Sequence, residues 1–220
     1  NRPNTWKMGF LFKKGDKNEW GNYRPITVPN SIDKVFESLL SKKIIKTMDP
    51  NLYQKLPPTE NHSCETTLIR LTEDWKMAAD NDEYVNFLFT DMSKAFDSLH
   101  RTNDSETQII QLFRSITESY TILLERGRNR VKLHEVQSAW KEQKRVCPQG
   151  SSCGPLLWNL FQNDLSLHRQ SANLFMYADD HQIYISDNEI LKATQTLRRQ
   201  IEAVSQWYKE NLLQANPQKH

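Results

Sequence analysis

The fold is decided by the segment LFMYADDHQIYI at residues 174–185, in which two apolar runs flank a pair of adjacent carboxylates. Aromatic and β-branched residues favour strands, whereas Asp tolerates turn geometry. The pattern therefore predicts a β-hairpin with Asp179 and Asp180 at its turn. Adjacent carboxylates in a tight turn suit a divalent metal ion, and a solvated Asp-Asp turn is the alternative interpretation of this segment alone.

Length, charge and cysteine content limit the class of protein. A chain of 220 residues can form one large domain or two small ones, with a core that needs no disulfides. The 29 basic and 27 acidic residues nearly cancel, so contact with nucleic acid would need a local basic patch. Cys64, Cys147 and Cys153 have no zinc-ligand spacing and predict free thiols in a reducing compartment. Without a membrane-length apolar stretch or a leader, we expect a soluble intracellular protein of the nucleus or cytoplasm with no membrane partner.

Apolar spacing predicts helices and strands on both sides of the hairpin. Basic residues and a proline over residues 7–30 indicate a hairpin or loop. The predicted helices are 31–44, 63–78, 105–126, 155–168 and 189–213. A dense apolar run predicts a strand at 84–91 that is covered on both faces. Strands separated by helices around an antiparallel hairpin favour an α+β fold.

A third carboxylate, Asp91, ends the predicted strand 84–91. If that strand neighbours the hairpin, Asp91 converges with Asp179 and Asp180. Carboxylate oxygens with open positions for phosphate and water are what Mg²⁺ prefers. Two such ions could activate a hydroxyl and stabilise a pyrophosphate leaving group without a nucleophilic side chain.

Several motifs occur in a fixed order along the chain: KKGD at 13–16, NYRPI at 22–26, FTDMSKAFD at 89–97, PQGS at 148–151 with GPLL at 154–157, and YADD at 177–180. Trp207, Asn211, Asn216-Pro217 and Lys219 follow downstream. In order and spacing, this set resembles a reverse transcriptase, most closely the non-LTR, LINE-type retrotransposon enzymes. The resemblance covers nearly the whole chain.

The resemblance implies the fingers and palm of a right-hand polymerase. Residues 1–83 would form the fingers, with part of the palm support. Residues 84–220 would form the palm, a ferredoxin-like antiparallel sheet packed on helices, with inserted fingers helices around 100–146. The thumb is expected to be absent.

The resemblance also implies three groups of site residues. The catalytic group would hold two Mg²⁺ ions, with Asp180 the less essential ligand, and protonate the leaving pyrophosphate; its members are Asp91, Asp179, Asp180 and Lys219. The nucleotide-binding group, with Phe96 as a gate beneath the incoming sugar, comprises Lys13, Lys14, Arg24, Phe96, Gln149 and Gly150. The nucleic-acid-binding group comprises Arg126, Arg128, Arg130 and Tyr177.

The implied function is an RNA-directed DNA polymerase that extends a DNA primer on an RNA template with deoxynucleoside triphosphates. Two segments depart from the family pattern, LPPTEN at 56–61 and RTNDS at 101–105, and the first implies loss of a basic template contact. One alternative is a decayed retroelement fragment that binds nucleic acid weakly without polymerising. A metal-dependent phosphohydrolase or nuclease is another, which the Gln149-Gly150 turn and the Arg24 segment disfavour. Oligomeric state stays open.

Overall fold

The computed structural model describes residues 5–47, 64–92, 128–133, 135–142, 150–168 and 172–214. The chain divides into two compact units, one formed by residues 1–48 and 96–158 and the other by residues 49–95 and 159–220. Both units contain helices and strands, which confirms the predicted α+β class. The helix predicted at 105–126 and Cys147 lie outside the described residues.

Within the described residues, the strands are β1 (Thr5–Phe12), β2 (Tyr23–Val28), β3 (Tyr84–Asp91), β4 (Arg128–Leu133), β5 (Val136–Gln137), β6 (Lys141–Glu142), β7 (Asn173–Tyr177) and β8 (Asp180–Asp187). The α-helices are α1 (Ser31–Thr47), α2 (Cys64–Asp80), α3 (Gly154–Gln162) and α4 (Ile190–Glu210). No helix in these ranges is long and apolar enough to cross a membrane.

The first unit contains a sheet built on the β1–β2 hairpin. The two strands are antiparallel, with a 3-10 turn at Trp20–Asn22 before β2, which confirms the predicted hairpin. Strand β4 runs parallel to β1 on its other side, and the short strands β5 and β6 pair with β4.

Helix α1 belongs to the same unit and begins where the sequence predicts. The Asn30 side chain accepts the backbone N–H of Asp33 at 2.8 Å, which is the contact of an N-cap residue. Leu40 and Ile44 are buried, but the face they occupy also buries Glu37, while the apolar residues at 32, 35 and 39 are exposed. The apolar spacing therefore located the helix but did not define its buried face.

The second unit is built on an antiparallel sheet in the order β3-β8-β7. Helix α4 packs on one face, where the Asn86 side chain donates to the Thr194 hydroxyl at 2.7 Å. Helix α2 packs on part of the other face, where Trp75 stacks on Phe87 with ring centroids 5.2 Å apart. Phe87 and Phe89 remain 52% and 43% exposed, so the predicted strand is confirmed but its coverage on both faces was wrong.

The last two helices of the chain differ from their predicted limits at the C-terminal end. Helix α3 ends at Gln162 and continues as a 3-10 helix to His168. Helix α4 ends at Glu210, because Leu212 adopts a left-handed φ of 56° and the Leu213 N–H turns back to the Tyr208 carbonyl at 2.8 Å. These contacts form a Schellman C-cap.

Candidate active site

The Asp179-Asp180 pair lies at the tip of the β7–β8 hairpin, as predicted. Tyr177 ends β7 and pairs with Asp180, the first residue of β8. Ala178 and Asp179 form the connecting loop, in which Ala178 has a φ of 53°. A non-glycine residue in this region stores about 1 kcal/mol or more of backbone strain. Asp179 is half-buried and Asp180 is exposed.

Asp91 ends β3 directly opposite this tip. Its Cα partner in the antiparallel ladder is Asp180, and the Met92 N–H donates to the Asp179 carbonyl at 3.3 Å. Asp91, Asp180 and Tyr177 therefore occupy one cross-strand row, which we call the carboxylate row. Strand β3 therefore neighbours the hairpin, which is the condition for Asp91 to converge with Asp179 and Asp180.

The described side chains of this row do not include that of Asp91. Among the side chains that the structure does describe, no group of three or more His, Cys, Asp or Glu residues could hold a metal ion. The backbone register nevertheless places Asp91 directly opposite Asp180.

Helix α2 covers the neighbouring rows of the same sheet face. Trp75 lies edge-on to Phe89, and the Arg70 guanidinium is 5.8 Å from the centre of the Phe175 ring. Phe89 and Phe175 belong to the row next to the carboxylate row. Tyr177 and Asp180 are exposed, so the end of this face remains accessible to a ligand.

In the other unit, Gly150 opens a loop that is fixed against β2 and α1. Gly150 has a φ of 102°, and a Cβ atom built on it would overlap the Thr27 carbonyl oxygen. The Ser152 N–H donates to Glu37 Oε2 at 2.6 Å, and the Cys153 thiol donates to the Glu37 carbonyl at 3.0 Å. Burial raises the pKa of Glu37 although the Ser152 N–H stabilises its carboxylate. Sequence analysis missed this buried glutamate, whose only signal was its spacing from Leu40 and Ile44.

The basic candidates of this unit lie near that loop or on the strands of the same sheet. Lys13 and Lys14 are exposed after β1, and Arg24 is exposed on β2, three residues before the strand position that contacts Gly150. The Gly150 loop therefore contacts β2, the strand that carries Arg24.

Arg130 lies on β4, and its Cα partner on β1 is Lys7. The Arg130 guanidinium is 4.5 Å from the centre of the Trp140 ring, a distance typical of a cation–π contact. Its Nε is buried without a hydrogen-bond partner in the described part of the chain. Side chains alternate along strands, so Lys7, Arg24, Arg130 and Lys132 share one side of the sheet, which we call the basic face. Lys7 was not predicted.

The remaining predicted site residues lie outside the described part of the chain: Phe96, Arg126, Gln149 and Lys219. Arg128 begins β4, but its side chain is not described. Cys64 and Cys153 carry free thiols, as predicted.

A known family model matches nearly all of the chain. Residues 12–220 match the family model described as reverse transcriptase (RNA-dependent DNA polymerase). The chain belongs to the reverse transcriptase family. Members of this family use divalent metal ions in catalysis.

Relatives of this chain come from mobile elements. It is 30% identical to a probable RNA-directed DNA polymerase from transposon BS of Drosophila melanogaster, over 99% of this chain and 26% of that protein. It is 28% identical to the Pol polyprotein of the type-1 retrotransposable element R1 of Bradysia coprophila, over 94% of this chain and 21% of that protein. These relatives confirm the resemblance to non-LTR, LINE-type enzymes. The chain spans about a quarter of the length of the curated relatives that it matches.

Solved structures of telomerase share the fold. The telomerase of Candida tropicalis, in complex with a TWJ fragment of telomeric RNA, superposes with a TM-score of 0.62 at 15% identity, over 98% of this chain and 40% of that one. The telomerase of Candida albicans gives a TM-score of 0.58 at 12% identity, over 100% and 42% of the two chains. The likeness supports the polymerase fold predicted from the motifs.

The sheet face opposite the carboxylate row carries a buried polar cluster that sequence analysis missed. His181 is 0% exposed and contacts Tyr208 and Gln162 through its two ring nitrogens. Burial lowers the pKa of His181 to about 4, so its imidazole is neutral at neutral pH. The one signal for this cluster in the sequence is Tyr208, which belongs to the helical stripe that identified α4.

Proposed function

We propose that this chain is an RNA-directed DNA polymerase domain that extends a DNA primer on an RNA template with deoxynucleoside triphosphates. The observation that carries the proposal is the carboxylate row, in which Asp91 is the direct cross-strand partner of Asp180 beside Asp179. Directly paired residues of an antiparallel ladder lie on the same face, with Cβ atoms about 5 Å apart. Carboxylates at that spacing on an accessible sheet end can share metal ions.

The carboxylate row fits a divalent cation because its donors are hard, anionic oxygens. We infer that Asp91 and Asp179 each contact two Mg²⁺ ions and that Asp180 contributes less. When bound, such ions lower the pKa of an attacking hydroxyl and stabilise charge on a leaving pyrophosphate. The hairpin and the end of β3 hold the carboxylates in place, and Lys219 would donate a proton to the leaving group.

We assign the incoming nucleotide to residues of the fingers and of the Gly150 loop. Lys13, Lys14 and Arg24 would bind the triphosphate, because cationic donors suit phosphate oxygens. Gln149 and Gly150 would line the pocket. The assignment is supported by the contact of Gly150 with β2, the strand that carries Arg24. Phe96 would lie beneath the sugar and select deoxynucleotides.

We assign residues 1–83 to the fingers and residues 84–220 to the palm, into which fingers helices are inserted around residues 100–146. Packing of α2 on the sheet that carries the carboxylate row supports a contribution of residues 1–83 to the palm.

We assign nucleic-acid contact to the basic face, to the neighbouring Arg126 and Arg128, and to Tyr177 beside the carboxylate row. The exposed Lys7 and Arg24 beside the half-buried Arg130 support this, because cationic side chains on one face can neutralise backbone phosphates. Arg130→Ala should weaken RNA binding and reduce the slope of log affinity against log salt by about 1. Lys209→Ala, which removes an exposed charge from α4, is the control and should change neither quantity.

Primer extension on an RNA template tests the polymerase assignment. With Mg²⁺, the protein should add short DNA products, since the LPPTEN segment at 56–61 implies loss of a basic template contact. Asp91→Asn and Asp179→Asn should each lower the rate by about 10²-fold or more, because several kcal/mol of transition-state stabilisation is lost. A folded protein that adds no nucleotide, or a fully active Asp91→Asn variant, would show that the assignment is wrong.

A further inference from the structure

A hydrogen-bonded cluster lies directly behind the carboxylate row. Thr90 precedes Asp91, His181 follows Asp180, and the two are cross-strand partners. Successive strand residues point to opposite faces, so this pair lies on the face that α4 covers. Thr90 and His181 are both buried there.

The Tyr208 hydroxyl group contacts both strands on this face, in addition to the Thr90 hydroxyl, which donates to the His181 carbonyl at 3.5 Å. Tyr208 Oη is 2.9 Å from His181 Nδ1 and 3.2 Å from Thr90 Oγ1. Tyr208 is itself buried, and it extends from the last turns of α4. Its neighbour Trp207 donates through Nε1 to Asp164 Oδ1 at 3.2 Å, which fixes this end of the helix.

The direction of each hydrogen bond can be assigned. Gln162 Nε2 donates to Asn159 Oδ1 at 3.3 Å, which leaves Gln162 Oε1 as the acceptor 3.0 Å from His181 Nε2. The imidazole proton must therefore lie on Nε2, and Nδ1 carries a lone pair. Tyr208 donates to that lone pair, so the Tyr208 oxygen can accept the proton of Thr90, for which the His181 carbonyl oxygen at 3.5 Å is a second acceptor.

We propose that Tyr208 is a positioning residue for the metal-binding carboxylates. Its hydroxyl links the residue before Asp91 to the residue after Asp180, and so fixes the relative position of the two strand ends. Metal ligands must be held to within about 0.5 Å, and supporting contacts of this kind tune metal affinity. The inference rests on the proposed function, because it assumes that the carboxylate row binds divalent metal.

The test measures Mn²⁺ binding to the whole chain by electron paramagnetic resonance, together with urea unfolding. Tyr208→Phe removes the hydroxyl and keeps the ring. Tyr184→Phe is the matched control, because the Tyr184 hydroxyl donates to Asp74 at 2.5 Å on the other face of the same sheet, two rows from the carboxylates. Thr90→Val removes the hydroxyl that contacts Tyr208, at nearly constant side-chain volume. It provides the test if Tyr208→Phe does not fold.

Tyr208→Phe and Thr90→Val should each weaken Mn²⁺ binding by about 10-fold, the lower end of the range for groups that support metal ligands. The double variant should weaken Mn²⁺ binding by less than the product of the two single effects, since both changes break the Thr90–Tyr208 contact, although Thr90→Val also removes the Thr90 contact with the His181 carbonyl. Tyr184→Phe should lose stability and keep the wild-type Mn²⁺ affinity.

Two results would overturn the inference, and they distinguish a failure of the Tyr208 role from a failure of the proposed function. If the wild type binds Mn²⁺ through Asp91 but Tyr208→Phe and Thr90→Val bind it equally well, Tyr208 has a structural role only. If the wild type binds no Mn²⁺, or Asp91→Asn binds it unchanged, the proposed function fails and the inference fails with it.

Discussion

Acid should destabilise this protein through His181. The pKa of His181 is about 4 in the folded chain because of burial, against an ordinary value of 6.5. Above pH 6.5 both the folded and the unfolded state are neutral at this residue. As pH falls from 6.5 to 4, the unfolded state takes up a proton that the folded state does not, so stability is lost across that window.

The size of the effect follows from the separation of the two pKa values. A difference of one unit between the folded-state and unfolded-state pKa corresponds to about 1.4 kcal/mol of stability. His181 should therefore lower the free energy of unfolding by roughly 3 kcal/mol between pH 7 and pH 4. That is a large part of the 5–15 kcal/mol that typically stabilises a domain, so the loss is measurable. Carboxylates also titrate in this range, and the His181 contribution must be separated from theirs.

A variant without the imidazole makes the separation. His181→Asn keeps an acceptor for the Tyr208 hydroxyl but cannot take up a proton in this range. Urea unfolding followed by tryptophan fluorescence, from pH 7 to pH 4, should show a lower stability for the variant at pH 7 and a shallower decline below it. The same substitution at the exposed His168 reports the effect of removing a surface imidazole. Parallel stability curves for the wild type and His181→Asn would refute the reasoning.

Three further predictions concern single positions. Gly150→Ala should cost about 2 kcal/mol or more of stability and raise KM for deoxynucleotides, because the new Cβ meets the Thr27 carbonyl at a left-handed φ; urea unfolding and primer extension measure the two effects. Leu212→Gly should stabilise the chain by about 0.5–1 kcal/mol, because a 63% exposed leucine at a φ of 56° gives up strain and little burial; a lower urea midpoint would contradict this. Phe96→Val should raise ribonucleotide incorporation relative to deoxynucleotide incorporation by about 1–3 kcal/mol, because a smaller side chain leaves room for the 2′-hydroxyl; equal ratios of kcat/KM in folded wild type and variant would assign Phe96 to the core.

Much of the fold could be predicted from the sequence because the spacing of apolar residues agrees with the strands and helices that form. The YADD hairpin combines a period of two with turn residues, and β3 is a dense apolar run between a turn and Asp91. Helices α2 and α4 carry stripes at helical spacing. In each case the information lies within about 20 neighbouring residues.

The parts that could not be predicted depend on long-range packing. Glu37 is buried because a loop more than a hundred residues later donates an N–H to it. The half-exposed Phe87 reflects how far α2 extends over the sheet, which its own apolar residues do not specify. The role of Tyr208 could not be read from spacing either, because a tyrosine in an apolar stripe is usually a packing residue. Its hydroxyl acquires partners only when β3 and β8 pair.

Side chains alternate between the two faces of the sheet, so the hydrogen-bonded cluster of Thr90, His181 and Tyr208 and the carboxylate row can occupy the same end of β3 and β8. Carboxylates directly opposite each other in a ladder repel, so the row that we propose for metal binding opposes the pairing of β3 with β8 in the absence of a cation. The residues one step away on both strands, Thr90 and His181, lie on the opposite face and are joined through Tyr208. Attraction on the buried face thus offsets repulsion on the accessible face, so β3 and β8 stay paired at the end that carries the row proposed for metal binding.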